Sequence, residues 1–310
     1  MKQFTVISGK GGTGKTTLAA AFASLAEDAV IADCDVDAAN MHLILKPEIL
    51  KVEDYFGLKV ARINPEMCIK CGLCREFCRY EGVNENYEIG PYNCEGCAVC
   101  TIVCSEKAVF MVEKISGQVF SSETRIGPMS HAKLYIGEET SGKIINTVRS
   151  NAKTLSEEYS KSLIIIDGPP GTGCSVIAAI TGVDLVVIVS EPTVSGIHDL
   201  KRVLELAAHF RVPAVVCINK YDINEENTRL IEEYCTSIGI SILGRLPYDE
   251  ITTKAMLQGK TIIEYAENNA AVNQCNFVSQ VRGIWIKIEG KLSDNQGGEA
   301  GKETLQIRKY

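Results

Sequence analysis

Eight of the chain's thirteen cysteines fall into two copies of one spacing, Cys68-x2-Cys71-x2-Cys74-x3-Cys78 and Cys94-x2-Cys97-x2-Cys100-x3-Cys104. Each cysteine of the second copy lies 26 residues beyond its counterpart, and Pro65 and Pro91 keep the same offset. Three thiolates at this spacing on a short loop can cap three corners of an iron–sulfur cubane. A second chemistry-bearing segment, Gly9-Lys10-Gly11-Gly12-Thr13-Gly14-Lys15-Thr16, fits the pattern G-x-x-x-x-G-K-[ST]. In such a loop the glycines let backbone N–H groups approach phosphates, and the following helix presents its positive end. Lys15 is then expected to reach the β- and γ-phosphates of a nucleotide, with the Thr16 hydroxyl on Mg2+. Gly11, Gly12, Thr13, Gly14 and Thr17 complete the expected cradle. The cysteines leave two other readings open: zinc, which normally uses separated pairs rather than triplets, and clusters that serve only as a structural staple.

The elements that must position these groups are visible as hydrophobic runs. Phe4–Ser8 is a short apolar run ending in glycines, and an alanine-rich helical stretch follows from Lys15 to Leu25. Further strand candidates are Ala29–Ala32, Leu163–Ile166, Leu185–Val189 and Ala214–Ile218. They are continuous rather than alternating, as expected for parallel strands covered on both faces. Helical patterns lie between them at His198–His209 and Glu225–Ile238, and a helix is expected to open at Ser141. This rhythm predicts an α/β fold with a doubly wound, mostly parallel sheet and its ligand at the carboxyl ends of the strands. Residues 59–111 break the rhythm. The expected organisation is a first phosphate-loop domain segment 1–58, an insert 59–111, a second segment of that domain 112–292 and a mobile polar tail 293–310.

Two more segments sharpen the phosphate-loop reading. Leu163-Ile164-Ile165-Ile166-Asp167-Gly168-Pro169-Pro170-Gly171 is an apolar strand ending in an aspartate and a turn, and Ala32-Asp33-Cys34-Asp35-Val36-Asp37 follows the second strand. With Lys10 inside the loop, the chain resembles the MinD/ParA/Mrp family of deviant-Walker P-loop ATPases, which includes the nitrogenase iron protein. More narrowly, it resembles the MinD-type members that carry an inserted bacterial-type ferredoxin domain. The resemblance implies ATP, Mg2+ and two [4Fe–4S] clusters. It implies that Lys10 reaches across a nucleotide-dependent dimer to the partner's phosphates, that Asp35 orients the attacking water, and that Asp33 lies close to the metal. Asp167 would hold Mg2+ through water, and Gly168–Gly171 would sense the γ-phosphate. Asn219, in Asn219-Lys220-Tyr221-Asp222, is expected to contact the base; the same spelling is used for guanine in GTPases, so GTP stays open beside ATP. In two-cluster ferredoxins the fourth ligand comes from the other array. That implies one cluster on Cys68, Cys71, Cys74 and Cys104, and another on Cys94, Cys97, Cys100 and Cys78. The proline that usually follows the fourth cysteine is replaced by Arg79 and Ser105.

The other cysteines are expected to be structural. Cys34, Cys217 and Cys235 sit in apolar or helical contexts. Cys174, seven residues after Asp167, is expected to be buried, with a role facing a partner's cluster as the alternative. The formal charge of −7 offers no basic footprint for nucleic acid. No segment reaches the length of a membrane span, and Met1–Ser8 runs straight into the glycine loop. A cytoplasmic protein is therefore expected. A C-terminal apolar stripe from Phe277 to Leu292 is expected to lie on the host domain rather than on a membrane. The leading expectation is an ATPase whose nucleotide-driven homodimer, or heterodimer with a paralogue, is coupled to electron transfer or metal handling with a partner protein. The alternative is a ParA/MinD-like spatial organiser with structural or sensory clusters. A third reading, an ATP-dependent amide or carboxylate ligase, lacks the glutamine-hydrolysing domain that such enzymes use.

Overall fold

The computed structural model of the chain describes residues 1–90, 92–139 and 141–294. Pro91 and the stretch 295–310 of the expected tail lie outside the described residues, whereas Ser293 and Asp294 close a helix, Asn276–Asp294, instead of opening a polar tail. The strands in chain order are β1 (Lys2–Ser8), β2 (Ala29–Asp33), β3 (Glu48–Phe56), β4 (Val60–Ile63), β5 (Val109–Val112), β6 (Ile115–Thr124), β7 (Gly127–Leu134), β8 (Leu163–Pro170), β9 (Leu185–Ser190), β10 (Ala214–Asn219) and β11 (Ser241–Leu246). Among the described residues two compact units result, one within 1–52, 119–133 and 141–294, the other within 53–118 and 134–139.

The first unit is built on a nine-stranded sheet in the order β11-β10-β9-β1-β8-β2-β7-β6-β3. From β11 through β7 every neighbouring pair runs parallel. The central strands are buried along nearly their whole length, which is why their sequences are unbroken apolar runs. The doubly wound, mostly parallel fold expected from the strand–helix rhythm is the fold observed. Strands β3, β6, β7 and β11 of this sheet were not anticipated; Arg125 and Ile126 alone separate β6 from β7. Their polar and small residues carry no unbroken apolar run, and β3 exposes seven consecutive residues.

Helix Asn276–Asp294 closes the core of this unit. Phe277, Val278, Val281, Ile284, Trp285, Ile288 and Leu292 recur at helical spacing and are buried among residues of the main core. Trp285 stacks on Phe22, with ring centroids 6.0 Å apart. Among the described residues no helix is long and apolar enough to cross a membrane.

The second unit shows an internal repeat in its backbone. Strands β4 and β5 pair antiparallel with Ile63 opposite Val109, and an isolated antiparallel bridge joins Val83 to Ile89. Val83 and Val109 are 26 residues apart, as are Ile63 and Ile89, so the two pairings are counterparts. Left-handed residues repeat at the same interval: Lys70 (φ 56°) with Gly96 (66°), Gly72 (87°) with Ala98 (61°), and Glu81 (52°) with Lys107 (53°). Short helices at Leu73–Glu76 and Val99–Val103 follow each cysteine loop.

Replacing Ile288 by Ala should lower the unfolding free energy by about 2–5 kcal/mol, the range for truncating a fully buried isoleucine. Urea denaturation followed by fluorescence of the single tryptophan, Trp285, measures it. A loss below about 1 kcal/mol would show that this helix contributes little to the core.

Candidate functional site: a charged phosphate loop and two cysteine-lined cavities

Strand β1 ends at Ser8 and the loop 9–14 delivers the chain into helix Lys15–Leu25. Gly14 takes φ 90°, and a Cβ there would lie 2.5 Å from the Asn219 amide nitrogen, so both backbone shape and close approach require glycine. The Asn219 side chain donates to the Thr13 carbonyl at 2.8 Å, which ties the end of β10 to the loop. Asn219 thus holds the loop through its amide nitrogen. It also lines a cavity of about 200 Å3 beside the loop, together with Gly12, Gly14, Thr17, Lys220 and Tyr248.

Register brings the acids together. Asp33 on β2 stands directly opposite Asp167 on the neighbouring strand β8. Asp35 follows at the start of a short 3-10 turn, Val36–Ala38, and its N–H donates to Asp33 Oδ1 at 3.2 Å. Gly168 is required by β1, because a Cβ there would meet the Ile7 and Thr5 side chains at 2.7 and 2.9 Å. Lys15 Nζ lies 2.5 Å from Asp35 Oδ2 and 3.3 Å from Asp167 Oδ1, and it also reaches the Thr16 hydroxyl at 3.3 Å. The exposures are 5% for Lys15, 1% for Asp33, 6% for Asp35 and 0% for Asp167. Burial works against the Lys15 ammonium, but the surrounding Asp167 and Asp35 charges outweigh it and raise its pKa. Burial raises Asp33 well above the ordinary carboxylate value, with the Asp167 charge adding to the effect. Asp167 is raised chiefly by burial. Asp33 Oδ2, Asp167 Oδ2 and Thr13 Oγ1 are buried with no hydrogen-bond partner.

Two lysines and a glutamate flank the loop on the other side. Lys10 Nζ lies 3.4 Å from Glu191 Oε2, and Lys220 Nζ pairs with Glu191 Oε1 while donating to the Gly12 carbonyl at 3.1 Å. Sequence reasoning placed Lys10 here but missed Glu191, Lys220 and Tyr248. Glu191 follows β9 directly, just as Asp35 comes soon after β2, and that strand-end position was the signal available. Asp222 Oδ1 accepts from the Tyr248 backbone N–H at 2.7 Å.

In the second unit the eight repeated thiols separate into two sets. One cavity is lined by Cys68, Cys71, Cys74 and Cys104. Another is lined by Cys78, Cys94, Cys97 and Cys100. Backbone N–H groups point at sulfur in each repeat, from Gly82 to Cys78 at 3.2 Å and from Ala108 to Cys104 at 3.3 Å, with Ala61 to Cys94 at 3.4 Å. Burial raises the pKa of Cys74, with Cys68 the next cause, and raises that of Cys100, with Cys94 next. Among the described residues no three His, Cys, Asp or Glu side chains converge as they would around one metal ion. Cys34, Cys217 and Cys235 are buried as expected. Cys174 is exposed, contrary to expectation: it opens helix Cys174–Ile180, whose buried residues begin at Val176.

The raised Asp33 gives a pH test. A carboxyl whose folded pKa lies above its ordinary value of 3.8 favours folding in its protonated form, and that contribution is lost as pH rises through the folded pKa. Asp33→Asn keeps an oxygen for the Asp35 N–H and removes the buried charge. The variant should resist urea better than the parent at about pH 7, with the gap closing toward about pH 4. A gap of opposite sign, or one independent of pH, would contradict this electrostatic account.

Residues 4–262 match the family described as the CobQ/CobB/MinD/ParA nucleotide binding domain. An uncharacterized protein of Methanocaldococcus jannaschii is 35% identical over 229 residues, 73% of this chain and 80% of the relative. The septum site-determining protein MinD of Bacillus subtilis is 21% identical over 301 residues, 94% of this chain and 93% of its own. In three dimensions the MinD of Pyrococcus horikoshii, solved complexed with Mg-ADP, aligns with a TM-score of 0.57 at 14% identity, covering 93% of this chain and 96% of that one. That structural likeness speaks for the fold, while the family match and the first relative speak for kinship. The chain belongs to the CobQ/CobB/MinD/ParA family of nucleotide-binding domains.

Proposed function

We propose that the chain is an ATP-binding and ATP-hydrolysing switch whose nucleotide-dependent dimer governs an inserted two-cluster iron–sulfur unit, residues 59–111, that serves electron transfer or metal handling with a partner protein. The observation that carries this reading is the partition of the eight cysteines into two cavities of four, each taking three thiols from one array and one from the other. A cubane takes four thiolates, one at each iron corner, and each cavity is lined by four cysteines. The donor set is that of a [4Fe–4S] ligand sphere, and the N–H groups aimed at Cys78, Cys94 and Cys104 would tune its potential. Bound clusters supply one-electron transfer.

Mg2+ also suits the residues present. Asp33 and Asp167 each keep an unpartnered buried oxygen, and Lys15 reaches both Asp167 and the Thr16 hydroxyl; Mg2+ is held through few carboxylates, waters and substrate phosphates rather than by a protein cage. We assign Lys15 to the β- and γ-phosphates, Thr16 and Asp167 to the Mg2+ side, and Asp35 to orienting the water. Gly11, Gly12, Thr13 and Gly14 offer backbone N–H groups, and Gly168 leads the turn that senses the γ-phosphate. ATP is favoured over GTP because the phosphate-loop and aspartate motifs follow the pattern of the ATPases that the chain resembles; one oxygen of Asp222 is engaged by the Tyr248 backbone N–H. Lys10 is assigned to the partner subunit's phosphates. The second reading, a spatial organiser, draws on the likeness to septum site-determining MinD; the two cysteine-lined cavities favour the first.

Purified under exclusion of oxygen, the chain should contain about eight irons, and Cys97→Ser should lower that to about four. Zinc in place of iron would end the redox reading. Lys10→Ala should bind ATP and keep its iron but lose ATP-dependent dimerisation in analytical ultracentrifugation. Dimerisation at the parental level would remove Lys10 from the trans role.

A further inference from the structure

Glu191 is only 8% exposed and faces two lysines at once. Its Oε2 lies 3.4 Å from Lys10 Nζ, and its Oε1 pairs with Lys220 Nζ. Lys10 Nζ also donates to Thr193 Oγ1 at 3.1 Å and to Ser195 Oγ at 3.4 Å. Two of the ammonium's N–H donors thus have acceptors on the same chain, and the ion pair with Glu191 adds its charge. The cradle is itself fixed. Thr193 Oγ1 accepts from the Gly196 N–H at 3.0 Å and so caps helix Val194–His209, and a Cβ at Gly196 would lie 2.3 Å from the Glu191 carbonyl oxygen.

We propose that Glu191 is a positioning residue that holds Lys10 in cis and so restrains dimer closure. This rests on the assignment of Lys10 to the partner's phosphates. To act there, Lys10 must exchange Glu191, Thr193 and Ser195 for phosphate oxygens, and the strength of the cis pair sets how readily closure occurs. The same carboxylate keeps Lys220 on the Gly12 carbonyl, so one side chain governs both lysines beside the loop. Lys10 is 30% exposed, so its pairing with Glu191 is partly screened and its influence modest.

The test uses the full chain, purified without oxygen, with Glu191→Gln and the charge-retaining Glu191→Asp. Acylation of Lys10 in the absence of nucleotide is followed by mass spectrometry, and ATP-dependent dimerisation by ultracentrifugation at low and high salt. Glu191→Gln should make Lys10 about two- to fivefold more reactive and lower the dimerisation concentration by a similar factor. High salt should narrow the gap from the parent, and Glu191→Asp should stay near the parent. Unchanged Lys10 reactivity in Glu191→Gln overturns the proposal whatever Lys10 does in a dimer. Raised reactivity with unchanged dimerisation, while Lys10→Ala fails to dimerise, overturns the restraint and leaves the trans role standing. Parental dimerisation by Lys10→Ala overturns both.

Discussion

One buried ammonium facing three buried carboxylates is the constraint from which the rest of the nucleotide-binding unit follows. Lys15 neutralises a single charge, and two carboxylate oxygens remain without partners. Such a surplus of negative charge away from water is unfavourable unless a proton or a further cation arrives. The fold imposes the arrangement: parallel strands in register put Asp33 beside Asp167, and the phosphate loop leaves β1 next to them so that helix Lys15–Leu25 begins at their edge. A site of this kind is poised for a magnesium-bound polyphosphate, because the metal meets the acids while the loop N–H groups and Lys15 meet the anion.

The cysteine unit rests on a different economy. Its small core of Ala61, Cys74, Val83 and Val109 is minor beside that of the nucleotide-binding unit, and four further cysteines pack against it partly buried. A repeat of one turn geometry, down to matched left-handed residues, brings the fourth thiol of each array to the other array's cavity. Under the proposed function, coordination would stabilise a unit with so little apolar interior. If clusters occupy it, the unit's folding and its chemistry depend on the same eight side chains.

Much of this was legible in the sequence wherever a single physical cause fixes the residue type. The buried parallel strands showed as unbroken apolar runs, and the helix after the phosphate loop matches Lys15–Leu25. Lys15, Asp35 and Asp167, singled out in the sequence, do meet: Lys15 opens the helix after the loop and pairs with Asp35, just past β2, and with Asp167 in β8. Strands β3, β6, β7 and β11 were not legible: β3, for one, is held at the sheet edge with its side chains largely in solvent, so no burial pattern marks it. The roles of Asn219 and Glu191 depend on which loop lies across from them, and Cys174 depends on which turn of a seven-residue helix is buried; such facts are tertiary.

The account's central claim is that the nucleotide cycle and the cysteine-held clusters act on each other. The most direct measurement is the midpoint potential of the clusters in the intact chain, titrated without nucleotide, with Mg-ADP and with Mg-ATP under conditions that block turnover. The account predicts a potential that shifts between the ADP and ATP states, and a shift abolished by Lys15→Ala. Identical potentials in all three states, with partner binding equally indifferent to nucleotide, would contradict it.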